Sequence, residues 1–209
     1  MPTSVKRVAG WPDYLANLKA TGIWEKKELR DAAAEEWKRL MKEEAVRDEA
    51  PIIRDLREAG VEANSVWDLV NWKKPVPLAI PVLHKHLGLD HPPKVREGIA
   101  RAMSEPAARP YWSSLVNLYR KEADARVKDA IAIALCGAAG ADEYDELISL
   151  SLDPINGPSR VVLIWALERR IPASQAEPVL VALANDPETK LQAEATLKWV
   201  RAKLARKKT

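Results

Sequence analysis

Apolar residues fall three and four apart over most of this chain rather than in alternation, which is the period of helices and not of strands. Ile80, Leu83, His84 and Leu87 run i, i+3, i+4, i+7; Val95, Ile99, Ala102 and Met103 run i, i+4, i+7, i+8. Each run marks one buried stripe along an amphipathic helix. Turn formers separate such runs, as in Gly88 through Pro93 and again in Asp153-Pro154-Ile155-Asn156-Gly157-Pro158. Asp186 followed by Pro187 predicts an N-cap with proline in the first turn, and Ser174 with Glu177 predicts a capping box. The expected fold class is all-α.

The pair of runs repeats every 32 residues. Leu83, Leu115, Leu147 and Val179 are successive steps, and so are Ile80, Trp112, Tyr144 and Ala176. The second run gives Val95, Val127, Ser159, Leu191, then Ile99, Ile131, Leu163, Ala195, then Met103, Leu135, Leu167, Trp199. No insertion interrupts the series. A helix pair of this size leaves one apolar face uncovered, so neighbouring pairs are expected to stack.

Lys94 to Met103 reads KVREGIARAM, Arg126 to Leu135 reads RVKDAIAIAL and Ser159 to Leu167 reads SRVVLIWAL. A branched residue, a basic one, then small and apolar residues ending in Ala-Met or Ala-Leu resemble the second helix of a HEAT repeat. The period is shorter than the ~40–47 residues of long HEAT units and is similar to the short HEAT-like repeats of bacterial proteins such as the bilin lyase type. The signatures of tetratricopeptide and ankyrin repeats are absent. The resemblance covers residues 76–205. It implies a right-handed α-solenoid of four helix pairs over 76–209, with a basic C-terminal tail, and a helical N-terminal cap region over 1–75. Within that cap, Asp13 is expected to start a helix reaching Ala20. A longer helix is expected from Glu25 to Asp48 with Leu29, Ala33, Trp37, Leu40 and Met41 on one stripe, and a degenerate pair from Pro51 to Ala59 and Ser65 to Trp72.

Composition refines this picture in three places. The chain has no phenylalanine but 8 tryptophans, so Trp, Tyr and Leu must serve as its large apolar anchors. Cys136 is the single cysteine, which excludes an internal disulfide framework. No run approaches the ~20 apolar residues that span a bilayer, and Met1 to Gly10 is too polar for a signal peptide; the expectation is a cytoplasmic protein without a membrane partner. The net charge of +3 is uneven. Residues 190–209, with Lys207 and Lys208 near the end, carry +6, which leaves −3 for the first 189. A nucleic-acid binder spreads its positive charge more widely.

Candidate chemistry is sparse. His84, His86, Asp90 and His91 are the one cluster with metal-ligand character, but His84 and His86 stand two apart and take positions where Val116, Ile148 or Leu118 sit in other units. They read as packing residues. Cys136 has no His near it in sequence to act as a base. No metal, cofactor or catalytic residue is expected.

Two rows recur with the repeat. Arg96, Lys128 and Arg160 form a basic row with Glu97 and Asp129 beside it, and Gln192 ends it. The row reads either as a ladder in which each basic side chain bonds the previous unit or as a charged strip on the inner face. Arg101, Ile133, Trp165 and Leu197 lie off the packing stripe of the second helices, which line the concave face in HEAT-like solenoids. Trp and Arg are the residues that most often anchor interfaces. The candidate binding residues are therefore Arg96, Glu97, Arg101, Lys128, Asp129, Ile133, Arg160 and Trp165. The expected function is protein binding, as an adaptor, a scaffold or an inhibitor of the immunity type. Two alternatives stay open: a nucleic-acid binder similar to the HEAT-like alkylpurine DNA glycosylases, with the basic row on phosphates and Trp165 on a base, and an enzyme or chaperone of the bilin lyase type.

Overall fold

The computed structural model of the chain describes residues 10–72 and 74–206. The polar segment preceding Gly10 and the tail residues Lys207 and Lys208 lie outside the described residues. All regular structure among the described residues is helical: eleven α-helices and short 3-10 turns, with no strand. No helix among them is long and apolar enough to cross a membrane. The chain divides into two compact units, residues 1–51 and 52–209.

In the first unit, α1 spans Trp11–Ala20 and is followed by α2, Lys27–Glu58, whose residues from Ile52 on belong to the second unit. Helix α1 starts two residues before Asp13; its N-cap is Gly10, and Pro12 in the first turn supplies a preset φ where the N–H has no partner to lose. Trp11 packs its ring 5.0 Å from that of Trp37, one of the residues of the predicted stripe. The opposite surface is charged, with Arg39 bonding both Glu36 and Glu43.

Helix α2 continues through Pro51, where the spacing predicted a break between two helices. Proline forfeits one backbone hydrogen bond there. The following turns are held by burial: Ile52 and Leu56, four apart on one face, are fully buried in the core of the second unit. Helix α3, Val66–Asn71, begins with a capping box in which Ser65 Oγ accepts from the Trp67 amide and Asp68 accepts from the Ser65 amide.

Four helix pairs follow. They are α4 (Ile80–Leu87) with α5 (Pro93–Ala102), α6 (Trp112–Lys121) with α7 (Ala125–Ala138), α8 (Tyr144–Leu152) with α9 (Arg160–Arg169), and α10 (Ala173–Leu183) with α11 (Lys190–Arg206). The members of each pair touch, and α5, α7, α9 and α11 touch in succession. Each connection within a pair is at most seven residues, which turns the second helix back along the first. Asp124 caps α7 by accepting from the amides of Arg126 and Val127. The capping box expected at Ser174 is not formed: α10 starts at Ala173 behind Pro172, and Glu177 instead accepts from Arg201 on α11.

The 32-residue register describes the first helices of all four pairs. Ile80, Trp112 and Ala176 are buried, and so are Leu83, Leu115, Leu147 and Val179. It describes the second helices of three. In α11 the buried residues are Ala193, Thr196, Leu197 and Val200, which stand 33 residues after Arg160, Leu163, Ile164 and Leu167. One residue is 100° of helix rotation. Leu197, expected off the stripe, is therefore in the core, while Leu191 and Trp199, expected in it, face outward.

Candidate partner-binding groove

The C-terminal halves of α5, α7 and α9 lie side by side and carry Arg101, Ile133 and Trp165 at the same level. Close approach of the chain at one point sets their spacing. A Cβ on Gly137 of α7 would lie 2.4 Å from the Ser104 carbonyl carbon, so only glycine fits against the end of α5. Ser104 Oγ donates to the Ile133 carbonyl at 3.0 Å and ties the two helices there.

Two hollows open along this line. One of about 390 Å³ is lined by residues that include Trp72, Lys74, Arg101, Ser104, Glu105 and Ile133. The next, about 240 Å³, is lined by residues that include Ser104, Ile133, Trp165, Arg169 and Arg170. Ser104 and Ile133 line both, so the two hollows adjoin and together make the candidate groove. Trp165 is 51% exposed and Ile133 is half-buried beneath the same row. An indole this open on an ordered helix leaves apolar area for a partner to cover.

Charge along the groove is mainly positive. Lys74 and Arg169 have no acidic partner among the described residues, and the Arg170 guanidinium donates to the Gly137 carbonyl, at 3.4 Å, and to no carboxylate among them. Arg101 is held by Glu97, Nε to Oε1 at 3.0 Å. Behind them, burial pushes the Asp129 carboxyl above the usual aspartate range, opposed by the charge of Arg101. Glu105 is more deeply placed. Its Oε2 accepts from the Val76 amide at 3.0 Å, its Oε1 is buried with no hydrogen-bond partner, and desolvation pushes this carboxyl up as well.

The basic row has another role. Arg96 reaches forward to Glu122, Nη2 to Oε2 at 2.5 Å, and Arg160 reaches forward to Asp186 at 2.7 Å and Glu188 at 2.8 Å. Each bonds a residue 26 or 28 positions later, in the connection of the following pair, and not the previous unit as the sequence suggested. Arg160 is 1% exposed, with Nε donating to the Gly157 carbonyl. Lys128 forms no such bridge, because the equivalent acceptor position is Pro154; its ammonium lies 5.1 Å from the Tyr119 ring centre. Arg96, Lys128 and Arg160 are thus placed with connections at the far end of the second helices, apart from the groove. Of the candidate residues, the groove brings together Arg101, Ile133 and Trp165, with Glu97 and Asp129 as supports for Arg101. Trp72, Lys74, Arg169 and Arg170 were missed. For Arg169 the signal was present, since it stands four residues after Trp165 and shares its face.

The remaining chemistry is structural. His86 is buried, with Nε2 bonding Asp55 at 2.9 Å and Nδ1 facing His91 Nε2 at 3.0 Å. His84 stacks on Tyr111 and bonds Ser114. Cys136 lines the smaller hollow, but burial pushes its thiol up to about 12, so it is held protonated and is a poor nucleophile at neutral pH. Compared with protein-family models, with curated proteins and with solved structures, the chain gives no match.

Proposed function

We propose that residues 76–206 form a HEAT-like α-solenoid of right-handed sense and that its groove binds an extended segment of a partner protein. The repeat of buried positions every 32 residues and the succession of contacts from α5 to α11 support the solenoid. The observation that carries the binding reading is Trp165, open over a groove that continues past Ile133 to Arg101 and Trp72. The partner segment is acidic with an apolar anchor: the anchor covers Trp165 and Ile133, and its carboxylates meet Lys74, Arg169 and Arg170. An adaptor, a scaffold and an inhibitor of the immunity type all use a site of this kind.

Nucleic-acid binding is weaker as a reading, because Arg96 and Arg160, its proposed phosphate contacts, are committed to carboxylates. The enzyme or chaperone reading has no residue to support it. The test is selection of a displayed random-peptide library on the full chain. Enrichment of acidic peptides with aliphatic or aromatic anchors is expected, and Trp165→Ala should weaken them by about thirtyfold, the ~2 kcal/mol of a hot-spot aromatic. Enrichment of basic peptides, or peptides indifferent to Trp165→Ala and Arg169→Glu, would overturn the reading.

A further inference from the structure

Helix α11 has two apolar faces. Ala193, Thr196, Leu197 and Val200 pack inward against α9 and α10. On the other side, Leu191, Ala195, Trp199 and Ala202 are spaced four, four and three apart and all face solvent; Leu191 is 85% and Trp199 63% exposed. The first three stand in the 32-residue register of positions that are buried within or at the ends of α5, α7 and α9: Val95, Val127 and Ser159; Ile99, Ile131 and Leu163; Met103, Leu135 and Leu167. In those helices the stripe is covered by neighbouring helices. In α11 the same stripe is uncovered.

We infer that this outer face of α11 is a docking site for an amphipathic helix of a partner protein, one whose apolar stripe is flanked by Asp and Glu. Helix stacking explains the shape of the occupant, since each preceding second helix is covered by a helix and stacked repeats keep a polar outer face only where nothing packs on them. Charge sets its flanks. Lys190, Lys198 and Lys203 have no acidic partner among the described residues, and Glu194 is the one acid on the helix. A second copy of the chain would bring these lysines against their own kind, which opposes self-pairing. A lipid surface would gain little from two alanines, one leucine and one tryptophan, because interfacial binding scales with apolar area.

The site is separate from the groove at Trp165, so the two readings fail independently. The probe is a hydrocarbon-stapled peptide of 17 residues, the length of α11, with leucines three and four apart and glutamates flanking them, labelled for fluorescence anisotropy with the full chain. Its control carries lysine for every glutamate. The acidic peptide should bind and the basic one should not, and added salt should weaken binding. Leu191→Ser with Trp199→Ser should weaken it by about thirtyfold with helical content unchanged, since both side chains are exposed, while Trp165→Ala leaves it unchanged. No binding of the acidic peptide, equal binding of both, or binding that survives the double substitution overturns the inference. So does sedimentation of the chain with phosphatidylserine vesicles that the double substitution abolishes, or a dimer in ultracentrifugation that it dissolves.

Discussion

Replacing Arg160 by alanine should destabilise the second unit by about 2–4 kcal/mol, a magnitude set by three hydrogen bonds and two offsets. Two of the bonds go to carboxylates, at 2.7 and 2.8 Å, and one to the Gly157 carbonyl at 3.0 Å. Hydrogen bonds to charged groups contribute roughly 1.5–3 kcal/mol each and neutral ones about 1. Against that gross loss, the guanidinium no longer has to be desolvated, a cost of several kcal/mol for a buried ion. The side chains of Asp186 and Glu188 are 29% and 46% exposed, so water takes up the freed carboxylates and no charge is stranded in the core. What remains is the tie between α9 and the connection before α11, together with the volume left empty by a fully buried side chain. Arg160→Met keeps most of that volume and removes the buried charge, so it should cost about 1 kcal/mol or less. Lys128→Ala, at the position where the bridge is missing, should also cost about 1 kcal/mol or less, the lower range of a cation–π contact, here between a half-buried lysine and the buried Tyr119 ring. Urea unfolding followed by far-UV circular dichroism measures all three. A loss below about 0.5 kcal/mol for Arg160→Ala, the behaviour of a surface residue, would refute the bridging role and return Arg160 to the list of residues free to bind a partner.

Leu147, fully buried in the third pair, should lose roughly 2–5 kcal/mol on truncation to alanine, by thermal or urea unfolding. Asp55→Asn should lower stability at neutral pH, with the gap to the parent chain closing in acid. The hydrogen bond from Lys85, with those from His86 and Arg54, holds the Asp55 carboxyl well below its ordinary value, so its contribution is present above the ordinary aspartate range and lost as pH falls below it. Glu105 has the opposite sign. Burial raises its carboxyl in the folded chain, so its contribution is present below the ordinary glutamate value and lost as pH rises above it; Glu105→Gln should flatten that decline in a pH series of unfolding curves.

The positions that pack were legible in the spacing of apolar residues because burial is what imposes a helical period. The first helices keep one register across four pairs for that reason. The last second helix departs from it because α11 carries two apolar stripes on nearly opposite sides, and sequence alone has no means of choosing which one turns inward. The long helix through Pro51 escaped notice because proline's local cost outweighs, in any local rule, the distant burial of Ile52 and Leu56. The bridges were written in the chain as Arg96 with Glu122 and Arg160 with Asp186, each 26 residues apart, with Pro154 where Lys128 needed an acid. Half of the groove was legible as the row Arg101, Ile133, Trp165. The other half, Trp72 and Lys74, comes from a segment outside the repeat, and no periodicity connects it to that row.

The groove itself is tested most directly by side-chain NMR of the tryptophans. With an acidic, apolar-anchored peptide from the library selection added to the full chain, the indole N–H signals of Trp165 and Trp72 should shift together, along with the amides of Ile133 and Ser104, while that of Trp199 stays in place. Shifts confined to other tryptophans, with Trp165 and Trp72 unmoved at saturation, would contradict the assignment of the binding site.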